Sequence, residues 1–248
     1  MAFVDVVNAC DSARLKNGRP RCVAFWENAK GVLADKTNAF GCMVPSLAGL
    51  YEPLKRTKWP MAGIVRGPVR DAVWRVLDAK CFGVPQQRRR LYLMAGSPES
   101  HLDSVLFEPH TRDPEKFPTH PLLFNKDGVA FEVFREYTDC LYSSYGTKWN
   151  GNAAAYNGSL YVVQDGRIRR LTPLECERLM GFPDNYTNLP GARRTSRYQA
   201  VGNSWAVQVV RWLGRRKVEN VQSFRLVAEP SVYCQLAAGV PTFCSTGQ

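Results

Sequence analysis

The sequence lacks most of the patterns that mark secreted, membrane or metal-binding proteins. It has three histidines, and none of its eight cysteines forms a Cys-x-x-Cys pair, so neither a zinc site nor a disulfide framework is predicted. No apolar run approaches the ~18 residues that a membrane-spanning helix needs, and no secretion signal is recognisable. These features predict no metal, no membrane partner and a cytoplasmic location.

Acidic residues are also scarce: 22 Asp and Glu stand against 33 Lys and Arg, which gives a net charge of +11. This excess favours a polyanionic partner such as double-stranded DNA, because basic side chains bind phosphates and release counterions. A ribosomal or anionic-membrane partner would fit the same charge balance. Residues 51–69 are basic and rich in Pro and Gly, and are predicted to form a surface insertion near the DNA backbone. A chain of 248 residues can form one or two domains.

Residues 25–32 read FWENAKGV. The apolar and aromatic run Arg21–Trp26 predicts a buried strand, with Glu27 and Asn28 at its carboxyl end. In open α/β sheets, ligands bind at that edge. A partly desolvated Glu27 would have a raised pKa and could hold or donate a proton. Alternatively, the Glu-Asn pair caps the next helix, which is predicted over Asn38–Leu50.

Residues 83–92 read GVPQQRRRLY and lead into a strand-like run over Leu91–Ala95. Alternation along a strand would put Arg88 and Arg90 on one face and Arg89 on the other. Two guanidinium groups on one face can clamp a phosphate or bind the carbonyl of a base. The alternative is a solvated arginine surface.

Two further segments carry helix signals. Residues 169–186 read RRLTPLECERLMGFPDNY, in which Thr172 can cap a helix, Pro173 suits its first position and Glu175 completes the first turn. Residues 197–210 read RYQAVGNSWAVQVV. A Gly-Asn-Ser turn there is predicted to open an apolar helix and to present backbone N–H groups to a polar ligand.

In this order, the four segments resemble the C-terminal two thirds of the DNA (cytosine-5)-methyltransferases, especially the small prophage type, over about residues 2–214. The motifs are the Glu-Asn-Val box (here Glu-Asn-Ala), the Gln-x-Arg-x-Arg box at Gln86, Arg88 and Arg90, the Arg-Leu-Thr-Pro box and the final Gly-Asn-Ser. The resemblance implies an α/β fold. It consists of a partial Rossmann-like methyltransferase sheet, with its N-terminal strands missing, and a smaller, mostly irregular and β target-recognition domain.

The resemblance also implies a reaction. In this family a cysteine thiolate adds to C6 of a flipped cytosine, and C5 then takes a methyl group from S-adenosylmethionine. Glu27 matches the glutamate that contacts N3 and the exocyclic amine. Arg90, together with Arg88, matches the arginines that hold the base carbonyl. Asn203 and Ser204 match residues that line the cofactor pocket.

The sequence departs from the family in two motifs. It contains neither the glycine-rich cofactor turn, Phe-x-Gly-x-Gly-Gly, nor the Pro-Cys pair of the nucleophile. The cysteines present, including Cys22, Cys140 and Cys176, are predicted to pack rather than to attack a base. The predicted helix over Ala2–Leu15 resembles the one that follows the nucleophile loop. We therefore expect a fragment, a subunit of a two-chain enzyme or a decayed remnant.

Two functions follow from this expectation. The chain is either the C-terminal part of a cytosine methyltransferase, inactive without an N-terminal segment or subunit, or a catalytically silent DNA-binding remnant or regulatory module. Alone, it is expected neither to transfer a methyl group nor to bind the cofactor well.

The resemblance predicts a partial catalytic domain over 1–96, a target-recognition domain over 97–168 and closing helices over 169–214. Residues 215–248 form an extension without an assigned role.

Within the target-recognition region, one group of polar and aromatic residues is predicted to face DNA. Lys148 and Arg167 suit phosphates, while Trp149, Asn150 and Asn152 suit base edges. A glycine- and asparagine-rich hairpin without base contacts is the alternative.

Overall fold

A computed structural model describes residues 2–107, 123–126, 129–132, 137–146, 160–164 and 167–228. The helices are α1 (Ala2–Lys16), α2 (Ala39–Ala48), α3 (Leu102–Leu106), α4 (Pro173–Met180), α5 (Arg194–Asn203) and α6 (Val207–Ala228). The strands are β1 (Ala24–Ala29), β2 (Ala62–Val65), β3 (Asp71–Asp78), β4 (Arg89–Gly96), β5 (Leu123–Lys126), β6 (Val129–Glu132), β7 (Tyr161–Gln164) and β8 (Arg167–Arg170). Within these ranges, every helix is too short or too polar to cross a membrane.

The central element is a four-stranded sheet of order β1-β4-β3-β2, and its three pairings are antiparallel. Side chains of β4 alternate between two cores. Leu91 and Leu93 pack with residues of α1 and α2, whereas Tyr92 and Met94 pack with residues of α3 and α6. Because helices cover both faces, the strand is apolar at successive positions. The predicted α/β class is confirmed.

Most residues of the basic insertion over residues 51–69 are exposed, as predicted, and its approach to the DNA backbone stays a prediction. The insertion contributes β2 to the sheet, and Trp59 at its centre is buried. The Trp59 ring meets the rings of Phe40 and Trp74 edge to face, at centroid distances of 5.1 and 5.6 Å. Composition predicted a surface segment, and the aromatic anchor and short strand that hold it on the sheet are additional features that composition did not indicate.

A buried ion pair fixes α1 to the sheet. Arg70 lies between β2 and β3, and its Nε donates to Asp11 of α1 at 3.1 Å. Its Nη1 donates to the Leu47 carbonyl at 3.0 Å and its Nη2 to Asn8 Oδ1 at 3.0 Å. The other Asp11 oxygen accepts from the Cys22 backbone N–H at 2.7 Å. These bonds offset the desolvation of two buried charges, so loss of either partner would leave the other uncompensated.

A third cluster of buried side chains lies outside the two sheet cores. It joins residues of 141–145 with α4 and α5. The Thr172 side chain accepts from the Glu175 backbone N–H at 3.2 Å, and Glu175 accepts in return from the Thr172 N–H at 2.7 Å. This capping box and the left-handed Gly181 that ends α4 confirm the predicted limits of that helix.

The described parts of the target-recognition region contain β5 and β6 as one antiparallel pair and β7 and β8 as another. Short two-stranded ladders agree with the irregular and β character predicted for this region. The domain limits themselves stay predictions.

Candidate functional site

Glu27 lies in the carboxyl-terminal half of β1, near the strand end at which it was predicted, and is opposite Tyr92 of β4. Two residues further on, Ala29 pairs with Arg90, so Arg90 lies diagonally across from Glu27 on the same face of the sheet. Arg90 Nε lies 3.3 Å from Glu27 Oε1, with side-chain exposures of 20% and 11%. The antiparallel pairing of two distant segments therefore creates this ion pair.

Burial raises the pKa of the Glu27 carboxyl, while the positive charges of Arg90 and, to a smaller extent, Arg88 act in the opposite direction. Desolvation prevails, so the group holds a proton more readily than an exposed glutamate does. Glu27 Oε1 is buried and makes no hydrogen bond. Its contact with Arg90 Nε is thus an ion pair without hydrogen-bond geometry. A half-buried carboxyl with a raised pKa is suited to a ligand that presents an N–H group or a nitrogen lone pair.

The adjacent Asn28 does not cap a helix. Its side-chain Oδ1 accepts from the Ala29 N–H at 2.7 Å, and the 3-10 turn that follows β1 has no side-chain cap. The capping alternative for the Glu-Asn pair is therefore wrong, and α2 is preceded instead by Asn38.

The three arginines separate as strand alternation predicts. Arg88 and Arg90 share one face, whereas Arg89 lies on the other and bonds Asp78 through Nε at 3.1 Å. Arg88 is buried, with 2% exposure. The solvated-surface alternative holds for Arg89 alone.

Arg88 is anchored by backbone carbonyl groups. Its Nη1 donates to Leu141 at 2.8 Å, and its Nη2 donates to Ser204 at 2.7 Å and Gly202 at 3.1 Å. One guanidinium thus joins the sheet to the 137–146 segment and to the Gly-Asn-Ser turn. A contact between Arg88 and a base remains a prediction.

Gln86 belongs to the same motif but was not among the predicted site residues. It is fully buried; its Oε1 accepts from the Leu141 N–H at 2.9 Å, and its Nε2 donates to the Leu179 carbonyl at 3.3 Å. The Gln87 N–H also donates to Thr138 at 2.8 Å. The place of Gln86 in the Gln-x-Arg-x-Arg pattern was the sequence signal that could have identified it as a site residue.

Cys140 was predicted to pack in an apolar setting, and the structure corrects this. Its Sγ lies 3.3 Å from Arg88 Nη1 and 3.3 Å from Arg90 Nη2, and the residue is half-buried. We call Glu27, Arg88, Arg90 and Cys140 the Glu27 cluster. No sequence motif marks Cys140, because only the fold of residues 137–146 brings it to the sheet.

Gly202 and Asn203 are the last residues of α5, and α6 begins three residues after Ser204. The Gly-Asn-Ser segment therefore ends one helix, whereas it was predicted to be a turn that opens the next. Ser204 lines an open cavity of about 660 Å³ together with Phe182, Trp205, Val207, Val210 and Arg211. The Trp205 ring lies 5.3 Å from that of Phe25 in β1, so the cavity is next to the first strand. Asn203 is exposed and does not line it.

The predicted DNA-facing residues Lys148, Trp149, Asn150 and Asn152 lie outside the described residues. Arg167 begins β8, where it pairs with Gln164. Their contacts with DNA remain predictions. Within the described part of the chain, no three His, Cys, Asp or Glu side chains form a group that could hold a metal ion.

The sequence of this chain matches the family model of C-5 cytosine-specific DNA methylases over residues 15–157 and 130–219. The chain belongs to that family. The two matches together include every member of the Glu27 cluster and extend through the Gly-Asn-Ser turn.

Among curated relatives, a DNA N-6-adenine-methyltransferase of Escherichia phage P1 is 27% identical, over 87% of this chain and 48% of its own length. The type II methyltransferases M.HhaI of Haemophilus parahaemolyticus and M.SsoII of Shigella sonnei are each 25% identical. Their matches cover 56% and 87% of this chain, and 50% and 62% of the relatives. The chain thus spans about half the length of the curated relatives it matches. The phage relative agrees with the predicted prophage type.

Solved structures confirm the methyltransferase fold. A Spodoptera frugiperda DNMT2 mutant has a TM-score of 0.52 and 19% identity, with 87% of this chain and 71% of that chain covered. The Entamoeba histolytica methyltransferase EhMeth has a TM-score of 0.50 and 17% identity, with 82% and 64% covered. These similarities concern the fold alone.

Proposed function

We propose that this chain is the base-recognition part of a DNA cytosine-C5 methyltransferase that uses S-adenosylmethionine and works with a complementing segment. The observation that carries the proposal is the half-buried Glu27–Arg90 ion pair, whose carboxyl has a raised pKa and accepts no hydrogen bond through Oε1. A cytosine edge offers matching groups: a ring nitrogen that accepts, an amine that donates and a carbonyl that accepts.

In this proposal, protonated Glu27 donates to N3 of the flipped base and accepts from its exocyclic amine. Addition of a thiolate to C6 increases the electron density at N3, so a donor placed there stabilises the adduct more than the free base. Arg90 binds the base carbonyl through its guanidinium. Arg88 and Gln86 position the cluster. Arg88 donates to the carbonyls of Leu141 and Ser204, and Gln86 accepts from the Leu141 N–H.

The cavity beside Ser204 fits one wall of a cofactor site. Trp205 and Phe182 offer aromatic surface to an adenine ring, and the Ser204 side chain offers a polar group at the rim. S-adenosylmethionine would supply the methyl group. Asn203 is proposed to contact the cofactor from the exposed end of α5.

A complementing segment is proposed because this sequence has neither the Pro-Cys pair nor the glycine-rich turn. Strand β1 is at one edge of the described sheet, with β4 on its other side. An open strand edge pairs readily with another strand. We propose that the segment adds a strand beside β1, which would bring its thiol to Glu27 and its glycine-rich turn to the cavity.

DNA contacts complete the proposal. Lys148 and Arg167 are assigned to phosphates, and Trp149, Asn150 and Asn152 to base edges, so the first pair would contribute to affinity and the others to sequence preference.

The test combines the purified chain with a purified N-terminal methyltransferase segment that carries both missing motifs, labelled S-adenosylmethionine and duplex DNA. We expect methyl transfer that needs both parts and that Glu27→Ala or Arg90→Gln abolishes. Arg89→Gln is the matched control, since Arg89 lies on the opposite face of β4, and should keep its activity. Product analysis must find 5-methylcytosine; methyl groups on adenine would contradict the proposal.

The second candidate is a DNA-binding module without catalysis, and the net charge of +11 favours it. Tight, salt-sensitive DNA binding by a folded chain, with no transfer in any reconstitution, would support that alternative. In that case, Glu27→Ala should leave DNA affinity unchanged.

A further inference from the structure

Cys140 is held at a defined place in the Glu27 cluster. Its neighbour Leu141 is fixed by Gln86 Oε1 and by Arg88 Nη1. On its other side, Thr138 exchanges backbone hydrogen bonds with Pro85 and Gln87, both at 2.8 Å. Bonds to residues on both sides of Cys140 set the position of the sulfur.

Two cationic donors converge on this sulfur. Arg88 Nη1 and Arg90 Nη2 each lie 3.3 Å from Sγ. Neither arginine is free to move away, because Arg88 also bonds three backbone carbonyls and Arg90 pairs with Glu27. A thiolate between two guanidinium groups is stabilised by their charge, and thiolates are the reactive form of cysteine.

The other described cysteines lack this arrangement. Cys176 is buried in the third cluster, where desolvation raises its pKa to about 12. Burial also raises the pKa of Cys22 and of Cys81. Cys42 is half-buried like Cys140, and within the described residues no arginine donates a hydrogen bond to its sulfur. Cys42 is therefore the matched comparison for reactivity.

Buried atoms of the same cluster have unused hydrogen-bonding capacity. Arg88 Nε makes no hydrogen bond although the residue has 2% exposure. Glu27 Oε1 accepts no hydrogen bond either, but it is ion-paired with Arg90 Nε. Buried polar atoms without a partner point to a missing ligand or solvent group. Arg88 Nε is such an atom, and it belongs to the guanidinium group that donates to the Cys140 sulfur.

We propose that Cys140 is a covalent modification site for small soft electrophiles, and that its sulfur occupies the arginine donors that a base carbonyl would otherwise use. With iodoacetamide, the thiolate attacks the CH₂ carbon, the S–C bond forms, the C–I bond breaks and iodide leaves. The thiol proton goes to the buffer. The added group would lie against Arg90 and would keep a base out of the cluster; this second consequence rests on the proposed function.

The first experiment measures the alkylation rate of each cysteine by peptide mass spectrometry on the full chain without DNA. We expect Cys140 to react about tenfold faster than Cys42, because two guanidinium groups lie 3.3 Å from its sulfur. Arg90→Gln should remove most of this difference, while Arg89→Gln should leave it unchanged. Glu27→Gln removes the carboxylate that competes for Arg90, and should keep or raise the rate.

Circular dichroism of each variant checks that it is folded. Arg90→Lys is the second variant: it keeps one positive charge and should give an intermediate rate. Equal rates for Cys140 and Cys42 in the parent chain, or a rate that does not respond to Arg90→Gln in the folded protein, would overturn the proposed modification site.

A second experiment separates this inference from the proposed function. The same rates are measured with a random-sequence DNA duplex pool and with poly(dA)·poly(dT), which contains no cytosine. Slower alkylation of Cys140 with the first DNA only supports both proposals. A rate that depends on Arg90 but responds to neither DNA would preserve the thiol site and contradict a base site at Glu27.

Discussion

At the residue scale, Glu27 shows how burial and ion pairing compete at one carboxyl group. Its partner Arg90 lowers the pKa of the carboxyl, but desolvation raises it by more. The balance is useful for acid–base chemistry, because a carboxyl whose pKa is raised by burial holds its proton more readily and can donate it to a bound base. It also has a measurable effect on stability.

The pKa of Glu27 is raised in the folded chain, so its contribution to stability is complete below the pKa of the unfolded glutamate and is lost as pH rises through the folded value. Glu27→Gln has no proton to lose and should not show this decrease. Thermal unfolding of both proteins across pH 4 to 8 measures the difference. Parallel curves for the two proteins would show that the carboxyl titrates normally.

Arg88 has a different energetic role, since its bonds go to backbone carbonyls. Arg88→Gln should lower the free energy of unfolding by about 3 kcal/mol, because several buried carbonyls would lose their donor. Arg89→Gln removes an exposed pair with Asp78 and should cost less than about 1 kcal/mol. Urea denaturation compares the two variants. Similar losses would mean that the carbonyl contacts contribute little.

At the element scale, α4 is defined by local chemistry at both ends. Glu175 closes the capping box and also binds Arg169 through two hydrogen bonds of 2.9 Å. These bonds from Arg169, with those from Thr172, lower the pKa of Glu175 to about 2. Glu175 therefore keeps its negative charge in all but strongly acidic solution. In the first turn of α4, this charge interacts favourably with the helix dipole.

Thr172→Ala removes the cap of α4 and should destabilise the chain by about 1 kcal/mol. Thr195→Ala is the control, because Thr195 is exposed within α5 and alanine is the better helix former there. Chemical denaturation should show a loss for the first variant and none for the second. An equal effect at both positions would argue against the capping box.

At the scale of the whole molecule, the excess of basic residues should govern DNA affinity. Lys36, Lys55 and Arg56 line an open groove of about 630 Å³ together with Asn38. A 3-10 turn over Lys30–Ala34 connects β1, which contains Glu27, to this groove. Asp35 also lines the groove, so its cations outnumber its carboxylates. If the proposed function holds, we expect phosphates of the bound duplex to contact Lys55 and Arg56.

The double variant Lys55→Gln, Arg56→Gln should reduce the slope of log K against log salt concentration by about 2, because each phosphate contact contributes about 0.9. Lys16→Gln, Arg19→Gln removes the same charge from the end of α1 and should leave the slope unchanged. Fluorescence anisotropy with a labelled duplex measures both. An identical decrease in the two variants would indicate a general charge effect rather than a groove.

The sequence by itself determined the local features of this protein. Alternating side chains placed Arg88 and Arg90 on one face, and the Thr-Pro-x-Glu pattern set the start of α4, because both depend on backbone geometry over a few residues. The ordered motifs also determined the family. Only the tertiary structure decided that Arg90 meets Glu27, that Gln86 is buried and that Cys140 joins the cluster. Each of these contacts joins segments that are far apart in the chain. Strand register and helix packing bring the segments together, and no local sequence pattern encodes either of them.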